Sequence, residues 1–374
     1  VLVAGAALFI RSLRNVSAMR LGFDADRVLV IDVEARSPGS SRSDTDLFWA
    51  AARDQAGTIP GVTSASIGTT TPFNSGWWGD VFLPGRDSLP ELRDKGPFVN
   101  AVSNEFLQTM GTQIVQGRGL LEKDVDGAER VAVVNTVMAR LLWPHERAVG
   151  KCIKVGADTS PCTTVVGVME NIIRGDFREE ENAQFILPLA QNPGGSMRSL
   201  FVRTEGDPAR ITGLVRDRIQ SLRPDLPFAE VRTLRTIIDP ELRPWRLGAT
   251  MFGIVGSLAL IVAAIGLYSV IAYDVAQRRQ ELGVRIALGA RATDILKLVL
   301  GHGLGMASVG ALIGLVVTLL VAPRIESLLF GIGARDAVTY LVVTAFLLLT
   351  ALVASLVPAR RAARVAPSEA LRSE

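Results

Sequence analysis

Three uninterrupted apolar runs, at residues 247–273, 299–321 and 337–357, dominate the last third of this chain. Each is long enough to cross a hydrocarbon core of about 30 Å as a helix rising about 1.5 Å per residue. The chain of 374 residues is 48% hydrophobic and still 21% charged, too apolar for a soluble enzyme and too charged to lie wholly in lipid. The expected fold class is an α-helical membrane domain combined with a folded domain in water. A further apolar run at residues 1–10 covers about half a span and begins without Met, so it reads as the end of a helix that starts upstream. It has neither the basic lead nor the cleavage site of a signal peptide.

Lys and Arg gather on the cytoplasmic side of membrane proteins. Arg278, Arg279, Arg285, Arg291 and Lys297 lie between the first and second runs, and Arg360, Arg361, Arg364 and Arg372 follow the third. Both clusters are expected to be cytoplasmic, which places residues 323–336 and everything from about 21 to 246 outside. Arg11, Arg14 and Arg20 oppose this orientation, and RSLRNVSAMR then reads as a helical stalk leaving the membrane.

Residues 27–34 (RVLVIDVE) alternate as a strand, 43–55 have helical spacing and 62–67 are again strand-like. A second such group follows at 199–203, 208–222 and 228–231. Two halves so far apart predict one α+β domain interrupted by an insertion at about 98–180. Within the insertion, Ser103 and Asn135 are placed to cap short helices, and CIKV with TTVVGV forms a hairpin holding Cys152 and Cys162 across from each other. In an exported compartment the two would form a disulfide; the alternative is a pair of buried thiols. Trp77 and Trp78 either touch a partner or the bilayer, or pin their loop to a core, and Glu179, Glu180 and Glu181 read as a solvated loop.

Catalytic signatures are missing. Val149, Gly150, Lys151 and Cys152 come nearest to a phosphate-binding loop but lack its upstream Gly and its Ser or Thr. His145 and His302 have no acid partner in view and read as structural, and the two Cys lie far from either His, so neither a metal nor another cofactor is expected. A net charge of +3 without a basic face excludes nucleic acid. The spans carry no central carboxylate or Lys of the kind an ion-driven pump uses. They carry small residues instead: Gly301 with Gly305, Gly310 with Gly314, Ala249 with Gly253 and Ala259 with Ala263 have the spacing that lets helices approach closely.

The connector YDVAQRRQELGVRIALGARATDILKLV joins the first two spans. Glu281 can pair with Arg285 one turn on, while Leu282, Ile286 and Ala290 share one helix face. That stripe would either dock a cytoplasmic protein or simply rest on the membrane surface.

QRRQELGVRIALGARATDIL resembles the segment after the second transmembrane helix of MacB/FtsX-type ABC transporter permeases, and VPARRAARVAPSEALR resembles their C-terminal pattern. VSNEFLQTMGTQIVQGRGL, RVAVVNTVMARLLWPHERAVGK and TTVVGVMENI follow the order of that family's periplasmic core domain. The beginning of the chain is similar to the second repeat of acidobacterial-type duplicated permeases. The resemblance implies four membrane helices per unit, the first truncated here: residues 1–20 as helix and stalk, 21–246 as the periplasmic core domain and 247–374 as the permease domain. It also implies a bacterial inner-membrane location and a mechanotransmission or export role. The partners implied are a cytoplasmic ABC ATPase, a second permease unit as homodimer or pseudo-dimer, a periplasmic adaptor and membrane lipid. Matched by position, the coupling residues are Glu281, Leu282, Gly283, Arg285, Ile286, Leu288 and Gly289. The alternative is a non-transport scaffold regulating an exported enzyme, or an orphan permease without ATPase.

Overall fold

The computed structural model describes residues 1–33, 42–74, 76–85, 96–178, 182–192, 197–224, 228–333 and 336–363. The expected acidic loop at Glu179, Glu180 and Glu181, and the tail with Arg364 and Arg372, lie outside these residues. The chain divides into one unit of Arg20–Glu241 and another of Val1–Met19 with Leu242–Glu374.

The first unit is built on a sheet of β1 (Val28–Asp32), β2 (Val62–Gly68), β3 (Trp77–Trp78), β4 (Val81–Phe82), β5 (Phe98–Val102), β6 (Ile114–Gly117), β7 (Val131–Asn135), β8 (Cys152–Val155), β9 (Cys162–Met169), β10 (Gln184–Pro188), β11 (Ser199–Thr204) and β12 (Glu230–Thr233). The strand order is β12-β1-β11-β2-β5-β10-β7-β9-β8-β4, with β3 on β5 and β6 on β9. Its helices are α2 (Arg42–Gly57), α3 (Phe106–Met110), α4 (Thr136–Leu142) and α5 (Thr212–Gln220). Numbering runs with the chain, and α1 belongs to the other unit.

β1 and β2, joined in sequence through α2, are not neighbours, because β11 pairs antiparallel between them. Leu29, Ile31, Trp49, Ala52, Leu200, Val215 and Val231 form one core beneath these strands. Ala132, Val134, Met138, Leu142, Ile153, Val165 and Phe185 form a second core under β7 to β10. Among the described residues, β2 of the first strand group and β5 of the second pair at Gly68 with Val102. Asn100 stitches the junction, its Oδ1 accepting from the Thr69 and Thr70 amides at 3.0 and 3.1 Å. Ser103 also serves the junction: its Oγ accepts from the Ile67 amide at 3.0 Å, so it does not cap α3, whose N-cap is Glu105 without a side-chain bond. Asn135 does cap α4, accepting from the Met138 amide at 2.9 Å.

Cys152 and Cys162 are joined by a disulfide with Cα atoms 5.6 Å apart. They are not directly opposite: Cys152 faces Thr164 and Cys162 faces Lys154, so the bridge runs diagonally across the hairpin. On the same side of the chain's charge ledger, burial would raise Asp124, but hydrogen bonds from Arg118 and the Leu121 amide more than offset it and hold its carboxyl below the ordinary range.

The second unit contains α1 (Leu2–Ser17), α6 (Leu234–Gln277, from Leu242 onward), α7 (Arg279–Ala287), α8 (Ala292–Ile325) and α9 (Ala337–Ala362). Among the described residues, α6, α8 and α9 are the three helices long and apolar enough to cross a membrane. Only 11%, 6% and 22% of their most apolar windows are buried within the chain, so most of this apolar surface is left to lipid or to another chain. α1 packs Ala4 with Tyr340 and Val343 of α9, and stacks Phe9 on Phe252 of α6 at 5.1 Å.

Candidate functional site

The connector is two-faced. Residues 278–291 hold α7, which begins after a break at Arg278 and ends where Gly289 takes φ +98°, a backbone conformation that favours glycine. Leu282 is 2% exposed and packs with Ile271 of α6, Ile295 and Val299 of α8, and Ala359 and Ala362 of α9; Ile286 and Ala290 rest against the same cluster. Gly283 is buried beside Leu282. The apolar stripe at Leu282, Ile286 and Ala290 therefore faces the chain's own helices. Of the two expected settings for the stripe, a docked protein or the membrane surface, neither is what covers it in this structure: the spacing that makes a stripe also suits one covered from within.

The opposite face is open. Leu288 is 83% and Val284 44% exposed, and nothing lies within 4 Å of a Cβ placed on Gly289. Arg285 donates to Glu281 at 2.6 Å one turn back, with both side chains about half exposed, and Arg278 pairs with Asp274 at 3.0 Å. The seven coupling candidates thus divide into three held inward, Leu282, Gly283 and Ile286, and four presented outward, Glu281, Arg285, Leu288 and Gly289. The open face therefore carries one strongly exposed Leu, a partly exposed Val and a Glu–Arg pair.

The small residues sort differently from their spacing. Cβ atoms built on Gly301, Gly305, Gly310 and Gly314 would meet nothing within 4 Å, so none is a point of tight packing inside this chain. Gly310 and Gly314 line an apolar cavity of about 320 Å³ between helices, with Leu260, Ala263, Val343 and Leu347. Close approaches are made instead at Gly248, where a Cβ would clash with the Phe9 ring, and at Gly303, where it would lie 2.6 Å from Ser355 Oγ and 2.7 Å from Ile271 Cδ1. Gly303 belongs to neither of the spaced pairs, and only the neighbouring helices reveal it.

Trp77 and Trp78 form strand β3 on β5 and are not in a loop. Both are about half exposed, and the Trp78 ring lies 5.4 Å from Phe98, over which Arg174 sits at 4.5 Å. Among the described residues no group of three or more His, Cys, Asp or Glu is placed to hold a metal ion.

An exported α/β domain joined to three apolar helices and an amphipathic connector defines a multi-pass membrane protein of the transporter-permease class. The MacB-like periplasmic core domain family matches residues 2–221 and the FtsX-like permease C-terminal family matches residues 253–367, and the chain belongs to this MacB/FtsX-like family of ABC transporter permeases of the bacterial inner membrane. It is 26% identical over 291 residues to the macrolide export ATP-binding/permease protein MacB of Wolinella succinogenes, covering 75% of this chain and 44% of that protein. It is 26% identical over 385 residues to the probable syringafactin export ATP-binding/permease protein SyfD of Pseudomonas syringae pv. syringae, covering 95% of this chain and 55% of that one. The chain thus spans about half the length of these curated relatives. The crystal structure of the periplasmic region of MacB from Actinobacillus actinomycetemcomitans aligns with 60% of this chain and 97% of its own, at 14% identity and a TM-score of 0.42.

Proposed function

We propose that this chain is the permease part of an ATP-driven export or mechanotransmission complex, in which a separate cytoplasmic ABC ATPase docks on the outward face of α7 and moves the membrane helices. The observation that carries the reading is the connector's division into a buried anchor, Leu282, and an exposed knob, Leu288. A displacement of the knob is passed to α6, α8 and α9 because the anchor is packed among all three. Glu281, Arg285, Leu288 and Gly289 are the docking residues, and Leu282, Gly283 and Ile286 the transmitting ones.

In this reading residues 1–20, 21–246 and 247–374 are the first membrane helix with its stalk, the periplasmic domain and the permease domain. Support for four membrane helices per unit comes from the buried face of α1, with Ala4, Leu8 and Phe9 at 4%, 0% and 5% exposure. The separate core beneath β7 to β10 supports an inserted subdomain. The two basic clusters, Arg278 to Lys297 and Arg360 onward, agree with each other and support the orientation over the smaller opposing set of Arg11, Arg14 and Arg20. The uncovered apolar faces of α6 and α8 suit lipid and a second permease unit, and the exported domain an adaptor.

The test is co-purification from native membranes in mild detergent. An ABC ATPase is expected with the wild type and should be lost from Leu288→Asp, with the fold intact. Retention of the ATPase by that variant, or no ATPase with either protein, contradicts the reading.

A further inference from the structure

At the end of the membrane unit away from the connector, residues Leu329–Gly333 and Asp336, between α8 and α9, grip two helices at once. The Phe330 amide donates to Ser12 Oγ on α1 at 2.7 Å, with Ser12 fully buried. Asn15 Nδ2 donates to the Gly331 carbonyl at 3.2 Å. Arg11 pairs with the Asp336 carboxylate and also donates to Thr339 Oγ1 at 3.1 Å. Leu329 packs with Leu8 and Phe9, and Ala249, Phe252 and Ile332 lie against them. The Phe330 ring meets Trp245 of α6 edge-on, with centroids 6.1 Å apart. α1 and α6 are the two helices through which the chain enters and leaves the exported domain.

α9 links this grip to the connector. Asp336 is its N-cap, accepting from the Thr339 amide at 2.9 Å, and Ala359 and Ala362 near its other end pack on Leu282. Its 26 residues span about 39 Å at 1.5 Å per residue. The rim of the grip combines a solvent-accessible charge-assisted pair, Arg11 with Asp336, with the backbone hydrogen bond to the buried Ser12, and both are directional.

We infer that α9 is a transmitting rod and that Arg11, Ser12, Asn15 and Asp336 form a latch fastening its far end to α1, so that a displacement of Leu282 reaches the helix leading into the exported domain. The inference rests on the mechanotransmission reading above, and the latch is tested without any ATPase. Packing alone does not establish coupling; the demonstration is a perturbation at one end read at the other.

The experiment is hydrogen–deuterium exchange of the full chain in lipid nanodiscs, read on peptides covering residues 8–17 and 326–333. Arg11→Gln and Asp336→Asn, the latter keeping an acceptor for the α9 cap, are each expected to speed exchange of the 326–333 peptide about fivefold, and the double variant to exceed the larger single effect by less than about twofold, because the two side chains act as one contact. Unchanged exchange in the single variants, or effects that multiply in the double variant, overturns the latch. Leu282→Ala is expected to speed the same peptide at least about twofold, while Leu288→Ala, equally part of α7 but exposed, leaves it unchanged. If Leu282→Ala changes only the peptides around residue 282, the rod is wrong whatever the latch does. An ATPase that fails to co-purify would sink the functional reading and leave these exchange results standing.

Discussion

The exported unit and the membrane unit treat the same kind of residue in opposite ways. In the sheet domain Val28, Leu29, Val30 and Ile31 are completely buried, and its two cores close over their apolar side chains. In the membrane unit Met251, Ile254, Leu258, Val262 and Ile265 of α6 are all 60% exposed or more. Water drives the first arrangement, and a hydrocarbon solvent permits the second, where helices are held by close packing and polar contacts more than by hiding apolar surface. The connector stands at the boundary and obeys both rules: Leu282 is hidden like a core residue, whereas Leu288, six positions on, is left open. Leu288 lies on the charged connector, outside the spans, and is the residue on which the proposed docking rests.

The sharpest way to break this comparison is to charge each Leu in turn. Leu282→Asp puts a carboxylate among Ile271, Ile295 and Val299 and is expected to cost about 3–5 kcal/mol, seen as loss of monodisperse protein on heating in detergent. Leu288→Asp should stay within about 0.5 kcal/mol of wild type. Equal effects would mean that α7 is not two-faced.

A smaller effect sharpens the packing side. Gly303→Val forces a side chain against Ser355 and Ile271 and should cost about 1–3 kcal/mol. Gly301→Ala and Gly305→Ala, with open space around each, should be near neutral in the same thermal assay. In the exported unit, Cys152→Ser with Cys162→Ser should lower stability by about 2–3 kcal/mol, the loop-entropy value for a short bridge, measured by urea unfolding of the full chain under oxidising conditions.

Asp124 gives a pH test confined to the exported unit. Its carboxyl is held below the ordinary value, so its stabilising effect is complete above about pH 4, where it would be ionised even unfolded. The effect is lost as pH falls through the lowered value. Asp124→Asn should cost about 1–2 kcal/mol at neutral pH and flatten the acid limb of the stability curve; an unchanged acid limb would show that Asp124 does not contribute. The least change is expected from Glu281→Gln, which removes an exposed pair worth a few tenths of a kcal/mol.

Much of this architecture was legible in the residues. Length and composition mark the three apolar helices, because lipid imposes a minimum run that nothing in water requires. The strand-like runs at 27–34 and 62–67 locate β1 and β2 closely, although Val28 to Ile31 are buried throughout and do not alternate. β10 escaped: QFILP is likewise buried on every residue but lacks the β-branched run of VLVID. The last strand begins at Glu230, two residues after the expected start, and Phe228 is left 72% exposed beneath Arg216. The insertion of β11 between β1 and β2 is a long-range pairing that local pattern does not encode. At the candidate site, spacing identified the stripe at Leu282 and Ile286 but not what covers it, since α6, α8 and α9 lie outside the local window. For the same reason Gly303 was missed while four open glycines were picked out. The grip of Arg11 on Asp336, residues at opposite ends of the sequence, is likewise a pairing that no local window encodes.

The most direct test of the account places a photoreactive benzoyl-phenylalanine at position 288 and, separately, at position 282 of the chain expressed in its native membrane, with adducts identified by mass spectrometry after irradiation. The account predicts an adduct to an ABC ATPase from position 288, and only links within the chain from position 282. An ATPase adduct from position 282 with none from position 288 would contradict it, because the face buried here would then be the docking surface.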